Sequence, residues 1–116
     1  MNIQNLERLK LELSNKPYCT DEEYKIFLSE NGLNFDGEYN KVINEVNLLN
    51  TVISILETLS NDVDLMRKID SKDIMSVDQA SKYLSQRIYN IKKKIVEIEE
   101  SKEEYKGNIN PIFFTR

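Results

Sequence analysis

The sequence predicts an all-α fold: a small bundle of about four helices, two of them long, with an extended C-terminal tail. Three observations carry this. The 116 residues include only three glycines and two prolines, which leaves few sites for tight turns and favours few, long elements. Apolar residues recur at steps of three and four through most of the chain instead of alternating. Two four-residue stretches, Thr20-Asp21-Glu22-Glu23 and Ser76-Val77-Asp78-Gln79, read as capping boxes that start helices. The length suits one helical domain, taken as residues 1–107, with an apolar tail at 108–116.

The first helix is expected from about Ile3 to Leu13. Ile3, Leu6, Leu9 and Leu13 share a face that Leu11 widens, and Glu7, Arg8, Lys10 and Glu12 point away. Pro17 ends it, because proline biases its predecessor out of the helical region. The second helix starts at the Thr20 capping box and buries Tyr24, Phe27 and Leu28. Asn31-Gly32 closes it, with Gly32 left-handed and Leu33 covering the last turn. A short loop with a turn at Asp36-Gly37 follows.

The third helix, Tyr39 to about Leu59, is the most apolar stretch and the expected centre of the core. Val42, Val46, Leu49, Ile53 and Leu56 form its stripe, broadened by Tyr39, Ile43, Leu48, Val52, Ile55 and Leu59. Its back face reads Asn40, Asn44, Asn47, Thr51, Ser54 and Thr58, polar but uncharged. A solvated face would be expected to hold more Lys and Glu, which form helices better than Asn, Ser or Thr. Small neutral polar residues are also easier to bury. Asn44, Asn47, Thr51, Ser54 and Thr58 are therefore candidates for a subunit interface, the alternative being a plain Asn-rich exposed face.

Ser60-Asn61-Asp62 either interrupts this helix or caps another; Val63, Met66 and Ile69 keep the spacing, so helix is expected to about Lys68. The last helix is expected from Ser76 to about Glu104. Val77, Ala80, Leu84, Ile88, Ile91, Ile95 and Ile98 form a narrow seam of the kind that joins two helices side by side, flanked by Tyr83, Tyr89 and Val96. Glu97, Glu99, Glu100, Glu103 and Glu104 crowd its negative end, so that end is expected to fray, with Gly107 breaking the pattern. In the tail, Ile109, Pro111, Ile112, Phe113 and Phe114 form a candidate docking segment, folding back on its own chain or onto another.

Composition excludes several functions. With no histidine, the commonest general base near neutral pH is missing, and Cys19, the only cysteine, has no histidine partner. No glycine loop suits a phosphate, and the Asp21–Glu23 cluster is explained by capping. No enzyme activity, cofactor or metal is therefore expected. A net charge of −4 argues against a general nucleic-acid binder. Charge is uneven, though: residues 1–75 hold 8 basic and 14 acidic side chains, and 76–116 hold 8 and 6. Lys92-Lys93-Lys94 is the one basic run. The longest uninterrupted apolar runs are two or three residues, so no membrane span is expected. The lone cysteine and the lack of a basic-plus-apolar leader suggest a cytoplasmic protein.

The layout resembles a known family. A short first helix reading Leu6-Glu7-Arg8-Leu9-Lys10-Leu11, a capped helix after Thr20-Asp21, two long helices and a short C-terminal extension are similar to bacteriophage head–tail connector (adaptor or head-completion) proteins. The resemblance covers roughly the first hundred residues, through loose helical patterns. Here the last helix is longer and the tail more aromatic than is usual in that family. The resemblance implies a structural virion protein, self-assembled into a ring of commonly twelve copies between portal protein and tail or neck proteins. DNA would pass through the lumen without specific binding. Such a protein would be made in the host cytoplasm and end in the virion neck. The competing reading is a small regulatory or partner-binding module, using either Lys92–Lys94 against nucleic acid or the Ile91–Ile98 seam against a partner helix.

Overall fold

The computed structural model describes residues 2–63 and 76–109, with side chains described as far as Lys102. Among these residues the fold is all-α: α1 (Asn5–Glu12), α2 (Asp21–Glu30), α3 (Lys41–Leu59) and α4 (Val77–Ile109), with a single 3-10 turn at Ser60–Asp62. The only extended pairing among them is an isolated antiparallel bridge between Gln4 and Glu38.

That bridge sets the start of α1. The helix begins at Asn5, not Ile3, and Gln4 supplies no side-chain cap. The orphan amides are satisfied by the loop after α2 instead: Asn5 N–H donates to the Gly37 carbonyl at 2.8 Å and Leu6 N–H to that of Phe35 at 3.1 Å. The Asn5 amide also donates to the Asn34 carbonyl at 2.8 Å, which fixes the loop against the helix. Gly37 makes the approach close, since a Cβ there would stand 3.3 Å from Asn5 Nδ2 and 3.4 Å from the Asn34 carbonyl. At the other end Ser14 and Asn15 both adopt left-handed φ, 60° and 58°. Ser14 N–H donates to Leu11 O and Asn15 N–H to Lys10 O, a Schellman closure made without glycine.

α2 follows its sequence signals closely. Thr20 and Glu23 exchange both capping-box hydrogen bonds, at 2.8 and 3.2 Å. Gly32 is left-handed at φ 80°, and Leu33, buried, donates its N–H to Leu28 O. Lys10 reaches Asp21 at 2.9 Å, and that hydrogen bond raises the lysine pKa.

α3 is the hub and packs against α1, α2 and α4. Leu48, Leu49, Val52, Ile53, Ile55, Leu56 and Leu59 lie in the core with Leu6, Leu9, Leu13, Tyr24 and Leu28. α4 adds Ala80, Leu84, Ile91 and Ile95, with Ile88 and Ile98 half-buried, so the expected seam is present apart from Val77, which is exposed. Both hydrogen bonds of its capping box form, at 3.0 and 3.1 Å. The two long helices run antiparallel: Lys92 meets Glu57, while Ile43 and Val46 face Val96 and Glu99. Arg87 ties α4 to α1 by donating to the Glu12 carbonyl at 2.7 Å.

Several expectations need correction. Leu11, Val42 and Ile43, expected on the buried faces, are 53%, 78% and 70% exposed. α3 ends at Leu59 and tightens into the 3-10 turn; Val63 is again helical, and residues 64–75, with Met66, Lys68 and Ile69, lie outside the described residues. α4 does not end near Glu104. Its backbone continues through Gly107 to Ile109. A glycine inside a helix costs only about 1 kcal/mol, so one glycine does not stop a long helix.

Lys41–Asp62 is also long and apolar enough, by length and composition, to cross a membrane, contrary to the reading from short apolar runs. Core helices meet the same criterion, and the apolar residues of its C-terminal two-thirds are covered by the chain's other helices.

Candidate functional site

The expected subunit face of α3 must be rebuilt from burial. Helical residues advance by roughly 100° each, so the expected face, centred on Thr51 and Thr58, can be compared directly with the observed one. Buried positions from Thr51 round to Ile53 span an arc of roughly 200°, and the open side is centred on Ile43, Asn50 and Ser54. The true open face is thus rotated by roughly 60° from the expected one.

Thr51 falls on the wrong side of that rotation. It is completely buried and cannot meet another subunit. Asn44, Asn47 and Ser54 are half-buried, and Thr58 is exposed. Asn47 lies beside α2, its Nδ2 3.5 Å from where a Cβ on Gly32 would stand. Asn44 completes the N-cap, its Oδ1 accepting from Asn40 N–H at 2.9 Å while Asn40 accepts from Ile43 N–H.

The hydroxyls of this stretch turn inward. Thr51 donates to Asn47 O at 2.8 Å, Ser54 to Asn50 O at 3.1 Å and Thr58 to Ser54 O at 2.9 Å. Each hydroxyl proton is thereby used within the helix. The neutral polar character of α3 is explained by capping and by these backbone bonds, with no second subunit needed.

What stays open is an apolar groove between the first turns of α3 and the C-terminal half of α4. Ile43, Val46 and Val96 form its floor, and Asn47, Glu99, Glu100 and Lys102 its rim, around a depression of about 650 Å³. Val96 is 51% exposed, and no described helix covers the groove. Its charged groups all stand on α4, at the rim. Ile43 and Val46 had been placed in the core stripe and Val96 beside the seam, and the periodicity gave no sign that they would meet in the open.

The basic triplet is split. Lys92 Nζ lies 3.7 Å from Glu57 and Lys94 Nζ 3.7 Å from Glu45, and all of these pairs bridge α4 to α3. Of the tail candidates, Ile109 is the last described residue of α4, with its side chain outside the described part, and Pro111, Ile112, Phe113 and Phe114 lie outside the described residues altogether.

The remaining reactive group is Cys19. It sits in a depression of about 200 Å³ with Lys10, Asp21 and Tyr24. Burial pushes its thiol up to about 11, helped by the Glu23 charge, so it is not a ready nucleophile near neutral pH. The Tyr24 hydroxyl donates to Lys16 O at 3.1 Å, and burial raises its pKa too. Among the described residues no group of three or more His, Cys, Asp or Glu side chains is placed to hold a metal ion.

No family model matches the chain, and neither a curated protein nor a solved structure is significantly similar to it.

Proposed function

We propose that this chain is a structural protein of a tailed phage or phage-like particle, a head–tail connector that assembles with copies of itself between portal and tail. The observation that carries the reading is the open apolar groove on the long α3–α4 pair. Exposed Ile43 and Val96 on a helical scaffold are what a protein that works by docking would present. A short first helix, a capped α2 and two long helices are the layout on which the resemblance to the connector family rests.

In this reading the ring's partners are the portal above and tail or neck proteins below. DNA passes through without specific contacts, in keeping with the net charge of −4. The protein is made in the host cytoplasm and finishes in the virion neck. It performs no catalysis and needs no cofactor. The nucleic-acid alternative is weakened by the carboxylates beside Lys92 and Lys94, which oppose the positive potential a phosphate would seek.

The test is genetic and visual. Removing the gene from a particle-producing genome is expected to give filled heads and separate tails that do not join, seen by electron microscopy. Normal tailed particles would sink the connector reading. Presence of the protein at the neck, located with a labelled copy, would support it.

A further inference from the structure

We propose that the groove formed by Ile43, Val46 and Val96 receives the C-terminal segment of a second copy of this chain, with Ile112, Phe113 and Phe114 as its anchors. This does not rest on the connector reading, because it requires only self-association in solution. The occupant is argued from composition, charge and reach.

The floor of the groove is aliphatic, and Ile112, Phe113 and Phe114, in the sequence beyond α4, are three consecutive apolar residues. Arg116 is the only charged residue of 108–116, opposite in sign to Glu99 and Glu100 on the rim, where Lys102 is the sole cation. An aromatic pair seated on the floor, with Arg116 near the two carboxylates, satisfies both kinds of surface.

Reach decides whose tail it is. From the end of α4 at Ile109 back to Val96 is thirteen residues of helix, about 20 Å. Phe113 and Phe114 follow Ile109 by four and five residues, at most about 14 and 17 Å of fully extended chain. The reversal needed to run back along the helix shortens this further. The backbone at the chain's own Phe113 and Phe114 can therefore come level with the Lys102 end of the groove but stops short of Val96 on its floor, whereas a neighbour's tail can approach from outside.

The experiment uses two full-length variants. Val96→Lys removes part of the floor at an exposed site, and its lysine sits three and four residues before Glu99 and Glu100, spacings that support the helix. The second variant, Phe113→Ser/Phe114→Ser, removes the anchors. Sedimentation of the wild type is expected to show concentration-dependent self-association, and each variant alone should associate at least about tenfold more weakly. Circular dichroism should show unchanged helicity in both.

Mixing the two should restore a one-to-one complex, because one partner keeps its tail and the other its groove. A wild type that remains monomeric up to about 1 mM overturns the proposal. So does a tail variant that associates like the wild type, or a mixture that stays monomeric. Success or failure here leaves the particle experiment above to judge the connector reading independently.

Discussion

Thr51 gives the sharpest test of how α3 is rotated in the bundle. If it faced another subunit, lysine there would leave the monomer intact and block assembly. In the structure its side chain is fully buried, with the hydroxyl 2.8 Å from Asn47 O. Thr51→Lys must therefore force a longer side chain into a filled space, at about 1–3 kcal/mol. It must also desolvate an ammonium or drag it to the surface, at several kcal/mol more. A loss of about 4 kcal/mol is expected, a large part of the roughly 5–15 kcal/mol that holds a domain together.

With a urea dependence of about 2 kcal/mol per molar, the midpoint should fall by about 2 M. Thr51→Val, nearly the same shape, should stay within about 1 kcal/mol, because the lost hydrogen bond is offset by the added methyl. Ser54→Lys, one turn on and half-buried, should stay within about 0.5 kcal/mol. Urea melts followed by circular dichroism measure all three. A Thr51→Lys midpoint within about 0.3 M of wild type, with Ser54→Lys strongly destabilised, would mean the helix faces the other way.

Three further outcomes follow from local geometry. Gly32→Ala should destabilise by about 1–2 kcal/mol in the same melts through backbone strain alone, because φ is 80° and the nearest atom to the new Cβ is 3.5 Å away. Ser14→Gly should do the reverse and stabilise by roughly 0.5–1 kcal/mol, since Ser14 already holds a left-handed φ of 60°. Cys19, with its thiol near 11, should react with a disulfide reagent at pH 8.5 much more slowly than in the urea-unfolded chain. The folded state keeps the Cys19 proton at pH values where the unfolded chain releases it. That contribution to stability is whole below about pH 9 and is lost as pH rises through about 11, with Tyr24 acting in the same direction.

Much of the fold was legible because its signals are local. A capping box needs only four residues, so the starts of α2 and α4 could be placed from Thr20–Glu23 and Ser76–Gln79, and both pairs of hydrogen bonds are present. The Gly32–Leu33 closure and the Ala80–Leu84–Ile91–Ile95 seam were legible for the same reason. The start of α1 was not. Its first amides are satisfied by carbonyls of Phe35 and Gly37, about thirty residues away, and no local rule points to so distant a partner. The end of α4 was missed in the opposite way. A glycine and a cluster of glutamates are local penalties of a size that a 33-residue helix absorbs.

The face of α3 was misread for a reason that also locates the groove. Periodicity gives the mean direction of the apolar side, but how wide an arc is buried depends on how many neighbours a helix has. α3 has three, so its buried arc takes in Thr51, whose hydroxyl can satisfy itself on the helix backbone and needs nothing from a partner. Those neighbours are not spread evenly along α3, however. Every residue from Leu48 to Ile53 except Asn50 is buried, whereas Val42 and Ile43, one to two turns earlier, are among the most exposed apolar side chains of the described residues. α4, reaching past the first turn of α3, stands beside that end and brings Val96 with it. That apolar surface, next to the helix that carries the apolar tail, is what the proposed tail-to-groove contact between two copies would use. For that reason the substitutions that probe assembly without disturbing the fold belong at Ile43 and Val96, and Thr51 belongs to the fold.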